Sequence, residues 1–133
     1  MTEGAAHSPC VVDASALLAL AHNEPGADIV LSRLAGAAIS AVNWSEVVQK
    51  SIARGADVDG LREEYVDLGL TIHPFGSADA ETAAYIWEQT KGRGLSLADR
   101  VCLSLARTLR LPVLTSDRAW ASLNLGVTVQ LIR

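Results

Sequence analysis

The feature that most constrains the fold is a short apolar run that ends in a carboxylate. Residues 10–12 form the run, Asp13 ends it, and a second apolar segment covers residues 16–20. A short apolar run before a longer apolar segment is typical of a buried strand that leads into a helix. In an open α/β sheet, ligands bind outside the carboxyl ends of the strands. Asp13 is therefore expected to be either a helix cap or the first residue of a site.

The same alternation of strand-like and helix-like segments continues along the chain. Further strands are predicted at residues 37–42, 70–75, 111–115 and 127–132, with helices between them. Strands separated by helices in this way indicate a parallel sheet with right-handed crossovers. We expect an α/β protein, a three-layer α/β/α sandwich around a central, mostly parallel sheet of about five strands. Residues 1–133 then form one domain, with residues 1–9 as a flexible lead-in.

Composition supports one domain and excludes several classes of protein. The 133 residues are 50% hydrophobic, which suits a single core. Cys10 and Cys102 lie in apolar segments and are expected to be buried free thiols, as in a reducing cytosol. The three histidines have no partner at zinc-ligand spacing. No apolar run is long enough to span a bilayer and the N-terminus does not resemble a signal peptide, so we expect a cytoplasmic protein with no membrane contact.

Four acidic residues occupy comparable places in this pattern. Asp13 follows the first strand, and Asp117 follows the strand at 111–115. Glu46 lies in the first turn of the helix after the second strand, and Asp99 lies in the first turn of the helix that begins at Ser96. In a parallel sheet, strand ends and the helix starts that follow them lie at one edge. If the sheet is parallel, three of these strand ends or helix starts are therefore expected to face one crevice.

Each acid also has an ordinary structural interpretation. The patterns Asn43-x-x-Glu46 and Ser96-x-x-Asp99 both fit a capping box, and Asp13 and Asp117 could cap their own helices. A cap of this kind contributes about 1 kcal/mol. Caps scattered around a sheet need no common direction, however, whereas these four acids all fall on the C-terminal side of the predicted parallel layer. Their shared position favours a functional site over four independent helix caps.

A divalent metal ion explains such a cluster best. Neighbouring carboxylates repel one another unless a cation is present, and Mg²⁺ or Mn²⁺ prefers oxygen ligands completed by water and substrate phosphate. The net charge of −4 would be zero without these four acids, so it is weak evidence against a phosphate substrate. Ser15 and Thr115 lie beside the predicted site as hydroxyl donors to ligands, water or phosphate. Ser15 could equally be only a helix-start residue.

The sequence gives less information on which residues would contact nucleic acid than on the acidic site. Four basic side chains lie near the predicted site and could hold phosphates: Lys91, Arg93, Arg100 and Arg118. The alternative is that they are solvated surface charges, and the acidic net charge is unusual for a nucleic-acid-binding protein. Trp44, Trp87 and Trp120 are expected to be core or interface aromatics rather than base-stacking residues, with Trp44 and Trp87 on the apolar faces of their helices.

Motifs of other reaction types are absent from the sequence. It contains no Walker-type phosphate loop, no G-x-G-x-x-G after a strand and no G-x-S-x-G elbow. A haloacid-dehalogenase-like phosphatase would carry D-x-D after the first strand, and here Ser15 occupies the third position. That enzyme class stays open as an alternative, and a phosphate-release assay on small phosphoesters would separate it from a nuclease.

Four short motifs, in order, resemble those of the PIN domain family, and specifically VapC-type ribonuclease toxins of type II toxin–antitoxin systems. They are V-V-D-A-S-A-L-L-A-L at 11–20, N-W-S-E-V at 43–47, S-L-A-D at 96–99 and L-T-S-D at 114–117. Any one motif is weak, but four in order are fairly specific. The resemblance covers residues 10–132, and the non-basic charge and the lead-in before Cys10 depart from it.

The resemblance implies a Mg²⁺- or Mn²⁺-dependent endoribonuclease that cleaves structured RNA such as tRNA, rRNA or mRNA. By it, Asp13, Glu46, Asp99 and Asp117 are the metal-binding and catalytic acids, and Asn43 and Thr115 line the site. It also implies a homodimer and a small antitoxin protein that covers the site. A catalytically inactive PIN-like module that only binds RNA or protein is the non-enzymatic alternative. The presence of all four acids argues against it.

Overall fold

A computed structural model of the protein describes residues 8–133. Within this range the strands are β1 (Cys10–Val12), β2 (Ala37–Ser40), β3 (Thr71–His73), β4 (Val113–Thr115) and β5 (Val129–Leu131). The helices are α1 (Ala14–Ala21), α2 (Ala27–Arg33), α3 (Ala41–Ala53), α4 (Leu61–Asp67), α5 (Ser77–Gln89) and α6 (Leu97–Leu109). Two 3₁₀ helices cover Leu34–Gly36 and Arg118–Ser122.

All five strands form one parallel sheet in the order β3-β2-β1-β4-β5. The predicted α/β fold and its strand number are confirmed. The strand β1 lies at the centre, with Val11 paired to Ala38 on one side and Val113 on the other. This central position explains why residues 10–12 are uniformly apolar, because a strand in the middle of a covered sheet has both faces buried.

Alternation along β1 divides the hydrophobic core into two layers. Cys10 and Val12 belong to a cluster with α1, α2 and α3, whereas Val11 belongs to a cluster with α5 and α6. All three side chains are fully buried. Cys10 and Cys102 are both buried free thiols, as predicted. The helices therefore cover both faces of the sheet and leave its carboxyl edge for a site.

The boundary between β2 and α3 differs from the prediction. The strand was predicted over residues 37–42 with Asn43 as the cap, but β2 ends at Ser40 and α3 begins at Ala41. The Ser40 hydroxyl accepts a hydrogen bond from the Val42 N–H at 3.2 Å and is the actual cap. Asn43 lies one turn further on, so the Asn43-x-x-Glu46 capping box is not formed. Ala41 and Val42 are apolar, which disguised the start of the helix as strand.

Two further expectations concern the ends and surface of the domain. Residues 1–7 of the predicted lead-in lie outside the described part of the chain, and the Ser8 carbonyl accepts a hydrogen bond from Arg33 Nε. The expectation that Trp87 lies on an apolar helix face is wrong, since its side chain is 52% exposed. Trp120 is buried and Trp44 packs edge-on against Tyr65. No helix in residues 8–133 is long and apolar enough to cross a membrane.

Candidate functional site

An open cavity of about 300 Å³ lies at the carboxyl edge of the sheet. Its lining contains all four acids singled out in the sequence, together with two of the three predicted supporting residues. The lining residues are Asp13, Ala14, Ser15, Asn43, Glu46, Lys50, Asp99, Ser116 and Asp117. They come from the starts of α1, α3 and α6 and from the segment that follows β4. The parallel topology thus gathers side chains that are more than 100 residues apart in sequence.

Asp13 lies directly after the central strand and is the deepest of the acids, with 7% of its surface exposed. Its Oδ1 accepts hydrogen bonds from the Ser15 hydroxyl at 2.7 Å and from the Ala16 N–H at 3.0 Å. Its Oδ2 accepts one from the Thr115 hydroxyl at 2.8 Å. The Ala16 bond is an N-cap bond, so the cap and the site are the same residue rather than alternatives.

Burial raises the pKa of the Asp13 carboxyl to about 6. Hydrogen bonds from Ser15, Thr115 and Ala16 act in the opposite direction, because they stabilise the charged form, and the negative charge of Asp99 raises the pKa further. Burial, and after it the charges of Asp13, Asp99 and Glu46, also raise the pKa of the Cys102 thiol well above its usual range.

The hydroxyls of Ser15 and Thr115 connect β1 to β4 at this edge. Thr115 Oγ1 donates to Asp13 and accepts a hydrogen bond from the Asp117 N–H at 3.0 Å. Ser15 Oγ donates to Asp13 and accepts from the Ser116 N–H at 3.0 Å. Both predicted supporting hydroxyls thus fix the loop that carries Asp117 relative to Asp13.

Asp99 and Asp117 also cap the helices that they begin. Asp99 Oδ2 accepts from the Ser96 N–H while the Ser96 hydroxyl accepts from the Asp99 N–H, both at 3.1 Å, which confirms the predicted capping box. Asp117 Oδ1 accepts from the Ala119 N–H at 3.0 Å at the start of the second 3₁₀ helix. These bonds leave the other carboxylate oxygen of each side chain without a bond to the protein.

Asn43 ties the two helices at the cavity together. Its Nδ2 donates to the Ala98 carbonyl of α6 at 2.9 Å, which joins α3 to the turn that carries Asp99. Its Oδ1 is buried and has no hydrogen-bond partner among residues 8–133. A buried polar oxygen without a partner costs free energy, and a bound cation or water at the cavity would satisfy it.

Glu46 lies in the second turn of α3 and pairs with Lys50, whose Nζ is 3.6 Å from Glu46 Oε2. Lys50 is a cavity residue that the sequence interpretation missed, as are Ser116 and Ala14. The signal was present, because residues four apart on a helix share a face, so a Glu46 that faces the cavity brings Lys50 with it. Lys50 provides a positive charge within an otherwise acidic lining.

The donor atoms of this cavity suit Mg²⁺ or Mn²⁺, which bind carboxylate and amide oxygens. Four carboxylates and the unpartnered Asn43 oxygen supply such donors. As the side chains stand, no three of the His, Cys, Asp and Glu residues within 8–133 form a group that could hold a metal ion.

The four predicted RNA-contacting residues lie outside the cavity lining. Lys91 lies over the Trp87 ring, and Arg93 donates to the Ser122 hydroxyl of the second 3₁₀ helix. Arg100 is turned towards α5, where Nη1 donates to the Ala83 carbonyl at 3.2 Å, and Arg118 is exposed at the start of the 3₁₀ helix. Lys91, Arg93 and Arg118 thus lie in surface segments next to the elements that carry Asp99 and Asp117.

The protein is a five-stranded parallel α/β sandwich with an acid-lined cavity at the carboxyl edge of its sheet. The chain matches the PIN domain family over residues 10–124 and belongs to that family. Comparison with curated protein sequences gives no significant match.

Solved structures show the same fold at low sequence identity. A toxin–antitoxin complex from Klebsiella pneumoniae is 21% identical, with a TM-score of 0.72 and coverage of 93% of this chain and 98% of that one. The DNA-bound VapBC of Salmonella typhimurium is 14% identical, with a TM-score of 0.65 and coverage of 94% and 98%. VapBC2 of Rickettsia felis, bound to a promoter fragment, is 15% identical, with a TM-score of 0.64 and coverage of 91% and 96%.

Proposed function

We propose that this PIN domain protein is a Mg²⁺- or Mn²⁺-dependent endoribonuclease and the toxin of a toxin–antitoxin pair. One observation carries the proposal. Asp13, Glu46, Asp99 and Asp117 line one cavity in a chain that belongs to the PIN domain family. The likeness to structures of toxin–antitoxin complexes supports the toxin role.

Each acid has a distinct part in the proposed reaction. Asp13, Asp99 and Asp117 would hold the metal, with the free oxygens of the two capping carboxylates directed to it. When bound, the metal would supply Lewis acidity to a phosphodiester and lower the pKa of a water molecule. Glu46 either completes the ligand set or accepts the proton of the attacking water.

The protein's own groups do the positioning. Ser15 and Thr115 hold both oxygens of Asp13 in place, so its rotamer is fixed before substrate binds. Such preorganisation lowers the cost of arranging charge during the reaction. Lys50 offsets part of the repulsion within the cavity and lies where it could meet a substrate phosphate. The cavity is open, which suits a chain that passes across it rather than a small enclosed substrate.

The proposed partners are an RNA substrate, a small antitoxin and a second copy of the chain. Large apolar side chains are exposed on the helices of one layer: Ile29, Leu31, Ile52, Val66 and Leu68. A shallow apolar groove along α3 is lined by Val48, Ile52 and Ala53. Exposed apolar surface of this kind is typical of protein–protein contact. A cytoplasmic location is part of the same proposal, since both substrate and antitoxin would be met there.

Mapping of RNA 5′ ends in cells that express the chain tests the function. The wild-type chain should produce new 5′ ends at a defined position in one RNA, and Asp13→Asn should remove them. Expression with the small open reading frame next to its gene should suppress them if that frame encodes the antitoxin. Identical 5′ ends with the two chains would contradict the proposal. Phosphate release from small phosphoesters without RNA cleavage would favour the phosphatase alternative, whose D-x-D motif is interrupted at Ser15.

A further inference from the structure

Trp87 is an exposed aromatic residue near the C-terminal end of α5. It lies in the last turn of α5 with 52% of its surface exposed, whereas Trp120 is 1% exposed and Trp44 packs against the core. An exposed indole ring offers a flat face on which a ligand with an aromatic ring can stack.

A lysine one helical turn away extends this feature. Lys91 Nζ lies 5.2 Å from the centre of the Trp87 ring, within the range of a cation–π contact. The arrangement places a positive charge at an aromatic face. A nucleotide presents the complementary pair, because its base has a π-face and its phosphate is negative.

The Trp87–Lys91 pair lies at the C-terminal end of α5, in the segment that leads into α6. The loop that contains Lys91 and Arg93 leads into α6, whose first turn carries Asp99. Arg93 donates to Ser122 and so attaches this loop to the 3₁₀ helix that follows Asp117. The loop thus connects the two elements that supply Asp99 and Asp117. A strand of nucleic acid whose backbone enters the cavity would pass along it.

The charge of the protein is distributed unevenly along its sequence. Residues 91–133 contain seven Lys or Arg and only two Asp or Glu, which is a net charge of +5. Both acids are the cavity residues Asp99 and Asp117. Residues 1–90 contain four Lys or Arg and thirteen Asp or Glu, a net charge of −9. The acidic overall charge therefore hides a basic C-terminal part, and such asymmetry is typical of proteins that bind nucleic acid.

We propose that Trp87 is a stacking platform for an unpaired base of single-stranded RNA, with Lys91 and Arg93 on the adjoining phosphates. The proposal rests on the proposed function, in which RNA is the substrate, and it names the form of RNA that the site takes. The ring of Trp87 stacks on the base whatever its identity, since every base has a π-face. Double-stranded RNA does not offer a base to this platform, because its bases are paired and stacked.

Binding of a fluorescein-labelled, unstructured RNA of about a dozen nucleotides tests the platform. The measurement is fluorescence anisotropy in EDTA, so that no cleavage occurs. Trp87→Ala should weaken binding about tenfold, and Trp87→Phe should restore most of the affinity because it keeps a ring. Tyr85→Ala is the matched control. Tyr85 is 70% exposed on the same helix, but two residues earlier and so on a different face. It should bind as the wild type does.

Two further readouts separate the parts of the proposal. Lys91→Ala and Arg93→Ala should each lower the slope of log affinity against log salt by about 0.7, the value for one phosphate contact on a single strand. A fully paired duplex of the same sequence should bind Trp87→Ala and wild type equally. Wild-type affinity of Trp87→Ala for the single strand would overturn the proposal. A change in self-association on sedimentation, with RNA affinity unchanged, would also overturn it and assign this face to a protein contact.

The outcome is independent of cleavage. If the wild type fails to cut RNA with Mn²⁺ but Trp87→Ala still loses single-strand binding, the platform stands and the nuclease function fails. If the wild type cuts RNA and Trp87→Ala binds and cuts equally well, the nuclease function stands and the platform fails.

Discussion

The Thr115 hydroxyl donates a 2.8 Å hydrogen bond to Asp13 Oδ2, and so joins the carboxyl ends of the neighbouring strands β4 and β1. The same oxygen accepts the Asp117 N–H. One fully buried hydroxyl therefore sets the positions of two of the four candidate acids.

Removal of this hydroxyl should disturb both acids. Thr115→Val keeps the shape of the side chain but removes the donor to Asp13 Oδ2 and the acceptor of the Asp117 N–H. We expect a loss of about 1–3 kcal/mol in the free energy of unfolding at pH 7.5, measured by urea denaturation. The pKa of Asp13, measured by NMR, should rise further, because a hydrogen bond to the charged form is lost. Thr115→Ser keeps the hydroxyl and is the control. Equal stability of the Val and Ser variants would show that the hydroxyl does not hold Asp13.

Asp13 should make the stability of the domain depend on pH. Its pKa is about 6 in the folded protein and near 3.8 as an ordinary carboxyl, so the folded state binds the extra proton between these values. The stability gained from the protonated form is complete below about pH 4 and is lost as the pH rises through 6.

Asp13→Asn removes this titration and provides the test. The wild type should lose about 2 kcal/mol in its free energy of unfolding between pH 4.5 and pH 7.5 from this titration, and the variant should not lose it. Asn makes the hydrogen bonds at this position less well than Asp, but this cost in free energy is the same at both pH values and cancels in the comparison. Asp28→Asn, on an exposed turn of α2, is the control and should lose the same amount as the wild type. A difference that is constant with pH would contradict the raised pKa.

Lys50 should compete with a metal ion for Glu46. The pair is exposed, with 53% and 34% of the two side chains accessible, so Lys50→Met should change the free energy of unfolding by less than about 0.5 kcal/mol. The affinity for Mn²⁺, measured by calorimetry, should rise severalfold because a positive charge has left the cavity. Lys91→Met changes the net charge equally but lies outside the lining, and it should leave the Mn²⁺ affinity unchanged. Equal effects of the two variants would show that only net charge matters.

A packing contact near β3 gives a prediction that is independent of the site. Gly69 has a φ of +107°, and a Cβ there would lie 2.5 Å from Ala35 Cα. Gly69→Ala is therefore strained by its backbone and by a clash with main chain, and should lower the free energy of unfolding by more than about 1 kcal/mol. Gly92 also has a positive φ, but a Cβ added there would have no atom of residues 8–133 within 4 Å. Gly92→Ala is the control. It should cost clearly less in the same urea titration.

The sequence was sufficient to predict the sheet and most of the cavity, because strand ends in a parallel sheet converge by topology. Asp13 and Asp117 follow from that argument, because each comes after a strand, whereas Asp99 was recognised from its place in the first turn of α6. The cap and site interpretations proved compatible, since a capping carboxylate uses one oxygen and keeps the other. Glu46 reaches the cavity without being part of a cap, because the helix starts at Ala41 rather than at Asn43.

The sequence-based predictions were wrong where a local sequence pattern fits two different structures. The run of residues 37–42 is apolar except for Ser40, whose hydroxyl marks the change from strand to helix. The α5 sequence is rich in alanine, so its pattern fits more than one buried face. The predicted apolar face included Trp87, whereas the buried residues of the helix are Ala83 and Ile86. Lys50 was overlooked because a Glu–Lys pair four residues apart is usually an ordinary surface feature of a helix.

Cleavage of RNA by the purified chain tests the central claim most directly. The account predicts that the wild type cuts a structured RNA with Mg²⁺ or Mn²⁺, and that EDTA abolishes the cleavage. Asp117→Asn should lower the rate at least a hundredfold, because it removes an acid of the cavity, and Asp28→Asn should cut as the wild type does. Cleavage that persists in EDTA, or that is equally fast with Asp117→Asn, would contradict the claim that this cavity is a metal-dependent ribonuclease site.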